Sequence, residues 1–470
     1  MPLERFSPRA QAEARPSQRG FLSLDSGRAT IGPSLISQIL ALRMKALVRL
    51  QSILYVALGL GSLLRAEEPS EHPPVIDASS LRGKVLCGYQ AWFRCPGDAA
   101  NMGWIHWSRD SMRLAKETLT FEMWPDMAGY PAEERFPAPG FTDAAGQPAY
   151  LFSSHRPGTV RRHFEWMRDY GLDGVWLQHF VVDLPGGPAE NRYASRRRTL
   201  SHVRESARAT GRVWALAFDM AGMPTEGIYE TLTREWKKLV DEGVTSDERY
   251  VHERGLPVVE LFGFYYQNAH NHMTTELANQ LIDFFKKPGP YQAFLVAGGD
   301  WDWRCNPDPA WQTFCRRFDA YSPWNVGNVA RDKDGTVHAS MGYWADDKAE
   351  CEKHGMLWLP VVYPGFSWDN LQRKLAGSTN IPRRGGRFLW EQFHSLSQLG
   401  VDSVCVAMFD EVDEGTAIFK VTNSPPTQAH FITYEGLPSD WYLRLVGAGT
   451  RLLREKSPVP VELPVTPPTD

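Results

Sequence analysis

The nine residues "MFDEVDEGT" at 408–416 place four carboxyl side chains, Asp410, Glu411, Asp413 and Glu414, directly behind the apolar run "SVCVA". Unpaired carboxylates are costly to bury. Such a stretch is a solvated acidic turn, a cation loop, or a place where two of the acids do chemistry. A calcium loop has the spaced D-x-[DN]-x-[DN]-G pattern, which this segment lacks. Glycoside hydrolysis needs two carboxyls beside one scissile bond, one protonated to assist the leaving oxygen and one ionised. A spacing of three residues keeps two acids on one side of a turn, with Cβ atoms about 5–6 Å apart where the loop is helix-like. Their repulsion then holds a proton on one of them, which separates an acid from a base at a single pH. Glu411 and Glu414 have this spacing, as do Asp410 and Asp413. Glutamate has the longer reach, and Gly415-Thr416 close the loop.

Residues with this chemistry need a frame. From residue 84 onward, short apolar runs recur: 85–93, 174–180, 213–220, 257–264, 292–300, 322–329, 357–366 and 402–411. Amphipathic segments lie between several of them. "TVRRHFEWMRDYG" puts Val160, Phe164, Met167 and Tyr170 on one side and stops at Gly171, and "EGIYETLTREWKKLVDEG" does the same with Ile228, Leu232, Trp236 and Leu239. "ELANQLIDFFKK", "PAWQTFCRRFDAY" and "RFLWEQFHSLSQLG" repeat the pattern. Continuous apolar runs alternating with amphipathic helices predict a parallel sheet covered by helices. Eight such units predict an α/β fold, the (β/α)8 TIM barrel, with a long insertion (94–156) after the first strand and a short C-terminal extension. No GxGxxG or GxxxxGK[ST] follows a run, so a nucleotide-binding sheet is disfavoured and no cofactor is expected.

In such barrels the working residues sit at the C-terminal ends of strands. Those ends carry Tyr89, Gln90 and Trp92; Gln178 and His179; Asp219; Tyr265, Tyr266 and Gln267; Asp300 and Trp301; Tyr363; and the acidic stretch. Mixed polar and aromatic groups suit a polyhydroxylated ligand, whereas a phosphate would call for clustered Lys or Arg. Glu411 and Glu414 are the expected catalytic pair. Tyr89, Trp92, Gln178, His179, Asp219, Tyr266, Trp301, Tyr363 and Asp413 are the expected substrate contacts. The "HNH" of His270 and His272 is the rival, a chelating pair with His179 and Asp219 as helpers. Further ligands are missing from the other strand ends, so no metal site is expected. There is no G-x-S-x-G elbow for a nucleophilic serine.

A net charge of −4 gives no reason to expect nucleic acid as partner. The 17 tryptophans are roughly two to three times average usage, and Trp is the usual apolar platform for a sugar face. Residues 44–66, "MKALVRLQSILYVALGLGSLLRA", have the basic start, short apolar centre and small final residue of a signal peptide. Residues 1–43 are then expected to be a non-native upstream extension, 67–82 a linker, 83–420 the catalytic domain and 421–470 a C-terminal extension and tail, within which "SDWYLRLVGAGTRLLRE" reads as a last helix. The expected location is secreted or periplasmic, with an oligo- or polysaccharide as partner and no stable membrane association after signal cleavage. Six cysteines suit an exported chain; Cys87–Cys95 and Cys305–Cys315 are the local pairing options, with Cys87 and Cys405 equally readable as buried thiols.

The elements "GYQAWF", "EMWPDM", "FSSHRPGTVRRHFEWMRDYGLDGVWLQHF" and "FDEVDEGTAI" resemble bacterial proteins grouped with glycoside hydrolase families 71 and 99. The resemblance covers about residues 83–420. Family 99, the endo-α-mannosidases, carries E-x-x-E-G-T on its last strand, and the parallel implies that Glu411 is the general base and Glu414 the general acid. It further implies retention of configuration through a 1,2-anhydro sugar and a hydroxyl contact from Tyr89. Val412-Asp413 stand where the mannosidases have an aromatic and a histidine, so mannosidase specificity does not carry over. A barrel that binds carbohydrate without cleaving it is the alternative.

Overall fold

The computed structural model describes residues 74–143, 145–265, 273–455 and 462–466. The expected signal peptide (44–66) and the expected upstream extension (1–43) lie outside the described residues. Eight parallel strands form the barrel: β1 (Val85–Tyr89), β2 (Gly174–Phe180), β3 (Val213–Asp219), β4 (Leu256–Phe264), β5 (Phe294–Gly299), β6 (Ala320–Pro323), β7 (Leu357–Trp358 with Val361–Val362) and β8 (Val404–Val406). Each pairs in parallel with its neighbour in sequence, and β8 returns to β1 through Val85↔Val404. The closure lies in β7. Its first half is in register with β6 and its second half with β8. Between them Leu359 N–H donates to Tyr321 O at 2.9 Å, and Pro360 O accepts from Cys405 N–H at 2.9 Å. Pro360 has no N–H to give, which suits the residue where the strand changes partner.

The weak sixth run, 322–329, shortens to a four-residue strand that begins two residues earlier. The helices follow the strands: α1 (Pro157–Tyr170), α2 (Tyr193–Thr210), α3 (Thr225–Asp241), α4 (Thr275–Lys286), α5 (Pro309–Cys315), α6 (Trp344–Lys353), α7 (Arg387–Gln398) and α8 (Trp441–Glu455). Val160, Phe164 and Met167 of α1 and Ile228, Leu232, Trp236 and Leu239 of α3 are fully buried. Gly171 ends α1 in the left-handed conformation at φ 78°.

The insertion 94–156 holds an antiparallel hairpin, Phe136–Thr142 with Pro148–Leu151, and lies against the segment that follows β8. Asp126 N–H donates to Lys420 O at 2.9 Å and Thr422 N–H to Trp124 O at 3.1 Å. The chain beyond residue 420 supplies the eighth helix of the barrel. A Cβ on Gly447 would lie 1.9 Å from Tyr170 O, and one on Gly449 would lie 2.7 Å from the Phe393 ring. These glycines let α8 sit down on α1 and α7. Gly447→Ala is therefore expected to force α8 outward and lower stability by about 1–3 kcal/mol. An unchanged thermal midpoint would contradict this packing.

Neither local cysteine pair forms, and all six cysteines are free. Cys87 is buried on β1, and Cys95 Sγ contacts Phe152 O at 3.1 Å instead.

Candidate active site

The acidic stretch begins where β8 ends. Met408 packs against the backbone of Gly88, where a Cβ would lie 2.2 Å from the Met408 Sδ. The turn that follows closes on Glu411 O, which accepts from Thr416 N–H at 3.2 Å and Ala417 N–H at 3.0 Å. Gly415 is left-handed at φ 61°, with the Ser367 backbone N 3.0 Å from where a Cβ would be. No other residue fits this corner without strain. Three outside groups fix the turn. Buried Arg383 donates Nη2–H to Gly415 O (2.7 Å) and Ala417 O (2.8 Å), its guanidinium lying 4.5 Å from the Tyr442 ring centre. Glu122 N–H donates to Val412 O at 2.7 Å, and Ser367 N–H to Glu414 O at 2.9 Å. With the backbone so committed, the side chains are presented from a rigid platform.

The four acids are not equivalent. Asp410 is fully buried and accepts from the backbone N–H groups of Gln90 (2.8 Å) and Ala91 (2.9 Å). It thereby grips the turn after β1, where Ala91 is held at φ 48°. Burial pushes its carboxyl up to about 7 against those donors. Glu411 accepts from the Gln90 side-chain amide, Nε2 to Oε2, at 3.0 Å. Burial first, and the Glu414 charge second, hold the Glu411 carboxyl well above the usual carboxylate range. Glu414 is only half-buried by surface, yet burial of its carboxyl raises it to about 7. Two acids in this relation share one proton. The Gln90 donor favours the ionised form of Glu411, while burial and the Glu414 charge favour its protonated form. Asp413 lies beside both glutamates, which push its carboxyl up after burial has done so. Its Oδ2 faces His106 Nδ1 at 3.3 Å, and its Oδ1 has no hydrogen-bond partner.

His106 carried no signal in the sequence, lying mid-insertion in "GWIHWS". It adopts φ 64° and stacks flat on Trp92, ring centres 3.7 Å apart and planes 7° apart. Trp92 also stacks on Phe180 at 5.2 Å. Arg196 ties this corner to the frame, donating to Asp183 Oδ2 (2.8 Å) and Gln90 O (3.1 Å).

Strand register sorts the remaining expected contacts, because side chains alternate between the barrel interior and the helix layer. Tyr89 pairs with Leu177 and faces the helices. Its hydroxyl bonds His163 Nδ1 at 2.8 Å, and Tyr130 bonds the other ring nitrogen at 2.8 Å. His179 also faces outward, beside Phe218 and 4.0 Å from Glu235 of α3. The structure thus commits both Tyr89 and His179 to the shell between sheet and helices. Tyr363 is buried with its hydroxyl on Asn328 O at 3.0 Å and its ring against Phe388. Gln178 and Asp219 fall on the interior side, Asp219 in register with Phe180 and Phe262. Asp219 accepts from Ala221 N–H at 2.7 Å, and burial raises its carboxyl to about 7. Trp301 is half-buried against Tyr343. Tyr266, His270 and His272 lie outside the described residues. Tyr265, one position earlier, is surrounded by acids: after burial, Asp300, Asp219 and Glu414 push its phenol up. Glu260, hidden in the apolar run of β4, is a further interior carboxyl, raised to about 8 by burial and by Asp219.

Compared by sequence, the chain matches no family model and none of the curated proteins. Compared by structure, it is similar to the family GH99 endo-alpha-mannosidase of Bacteroides thetaiotaomicron. In that enzyme's complex with bis-tris-propane the match has a TM-score of 0.59 at 14% identity, covering 82% of this chain and 99% of the other. A second structure of the same enzyme matches with a TM-score of 0.59 at 14% identity, over 80% and 99%. The fold they share is the (β/α)8 barrel.

Proposed function

We propose that this protein is a glycoside hydrolase that cleaves an α-linked glycan with retention of configuration. The observation that carries the reading is the Glu411–Glu414 pair at the end of β8, made unequal by the amide of Gln90. Both carboxyls come from one short turn and approach a sugar from similar directions. That arrangement is awkward for a carboxylate that must attack opposite the leaving group, and it suits help from the sugar's own 2-hydroxyl. Glu411 takes the proton from O2, O2 bonds to C1, and the C1–oxygen bond to the leaving sugar breaks as Glu414 protonates that oxygen. Water then adds to C1 of the 1,2-anhydro sugar, giving its proton to Glu414 while O2 recovers one from Glu411. The stacked Trp92 and His106 form one wall, with Gln178, Asp219, Trp301 and Asp413 around the sugar. The layout of residues 44–66 supports export, and the catalytic unit is then residues 83–420 with its eighth helix beyond.

The test is a panel of α-linked polysaccharides in which O2 lies trans to the leaving oxygen (1,2-, 1,3- and 1,6-linked mannans and arabinan), assayed for new reducing ends, with the anomer of the first product read by NMR. One member is expected to be cut with release of the α-anomer. Binding without release of reducing sugar from any member would identify a carbohydrate-binding barrel instead.

A further inference from the structure

Gln90 occupies an unusual position. It follows Tyr89, which faces the helices, so alternation turns its own side chain to the barrel mouth. Asp410 clamps its backbone N–H and Arg196 its carbonyl, so the residue is held at both ends. Its side chain is buried, with 6% exposure. The amide nitrogen donates to Glu411 Oε2 at 3.0 Å, whereas the amide oxygen has no partner. A buried carbonyl oxygen without a donor is costly unless a ligand supplies one. The acceptor sits one amide group away from the base, so the donor it awaits belongs to whatever molecule Glu411 engages.

We propose that Gln90 is a specificity-determining residue, binding Glu411 through its amide nitrogen and the C3 hydroxyl of the cleaved sugar through its amide oxygen. The assignment rests on the hydrolase reading above. Its chemistry is geometric. If Glu411 engages O2, the hydroxyl of an adjacent carbon is the one beside it. C2 has two ring neighbours, and C1 carries the leaving group, which leaves the hydroxyl on C3. The substrate class is therefore a sugar with free hydroxyls on both C2 and C3 of the unit being cleaved. Substitution at O3 of that unit, by a branch or an ester, is excluded.

The probes are 2,4-dinitrophenyl α-mannoside and α-L-arabinofuranoside with their 3-deoxy counterparts, alongside the panel polysaccharide that the wild-type protein cuts. Wild type is expected to prefer the 3-hydroxy probe by about 10- to 100-fold in kcat/KM, the range for leaving a buried acceptor unpaired. In Gln90→Met that ratio is expected to fall to near one. On the polysaccharide, the acid limb of the Gln90→Met kcat/KM profile moves to higher pH, because Glu411 loses the donor that favours its ionised form. Gln90→Glu, which keeps an acceptor oxygen and the side-chain length, separates the two contacts. It retains the preference for the 3-hydroxyl while its acid limb moves upward. Gln90→Met with either the wild-type ratio or the wild-type pH profile overturns the assignment. Wild type that cuts no glycan in the panel overturns the hydrolase reading, and this assignment with it. Cutting by wild type with no change in Gln90→Met overturns this assignment alone.

Discussion

Glu411→Gln is expected to lose cleavage by about 10²- to 10⁴-fold on every substrate, whatever its leaving group. The amide cannot take the proton from O2, so the first bond-forming step is blocked however good the departing group is. Glu414→Gln is expected to lose as much on polysaccharide but to recover most of its rate on a dinitrophenyl glycoside, whose leaving oxygen needs no proton. Assays of both variants on both substrate types check the assignment of roles. Equal losses on the aryl glycoside would remove the distinction between base and acid, and full activity in either variant would remove that residue from the reaction. Neither substitution disturbs the turn, because its backbone is held by Arg383, Glu122 and Ser367 rather than by the two carboxyls.

The second large effect concerns stability and lies deeper in the barrel. Glu260 and Asp219 are interior carboxyls raised to about 8 and about 7, in each case chiefly by burial. A folded-state pKa above the unfolded value means that the folded protein binds the proton more tightly. The stabilisation is complete below the unfolded carboxylate range and is lost as pH rises toward 7 and 8. Each unit of separation corresponds to about 1.4 kcal/mol. The thermal midpoint should therefore fall between pH 5 and pH 8. Glu260→Gln, uncharged at both, should flatten that fall and raise the midpoint at pH 8. A midpoint that climbs from pH 5 to pH 8 would show that these groups are ionised and paired in the folded state. Asp410 and Glu122 are pushed the same way by burial, to about 7 despite the N–H bonds they accept, and add to the same slope.

The barrel was legible because its signal is periodicity. Seven of the eight apolar runs hold a strand and the sixth overlaps the end of one. The helices whose faces could be counted in advance begin where the spacing puts them, though α5 stops at Cys315, short of the expected Tyr321. Helices α2 and α6 were less visible, being polar along much of their length, as in "YASRRRTLSHVRESARAT". The acidic loop was legible from residue type and spacing. The direction of side chains near strand ends was not. Tyr89 and His179 read as cleft residues because they end apolar runs, yet a shift of one position along a strand moves a side chain to the other face. Only the register, Tyr89 with Leu177 and His179 with Phe218, decides it. Gln90 was named at the end of the first run but given no role, and Glu260 sat unremarked inside the fourth. His106 and Arg383 were invisible for another reason. Each reaches the acidic loop across a gap in sequence that no local pattern bridges.

That gap has a consequence for how the chain acquires its site. Glu122 binds Val412, and Thr422 binds Trp124, across roughly 290 residues of intervening chain. During synthesis the insertion appears early, with Phe121 and Trp124 destined to pack against Phe431. Their partner emerges only after all eight barrel strands have been made. Contacts this distant form late, since the loop-closure entropy must be met before they stabilise anything. The aromatic face of the insertion therefore stays uncovered through most of translation, a stretch where a nascent chain invites association. The turn bearing Glu411 and Glu414 is held from both ends of the sequence, so it takes its working shape only when the last strand has joined the first.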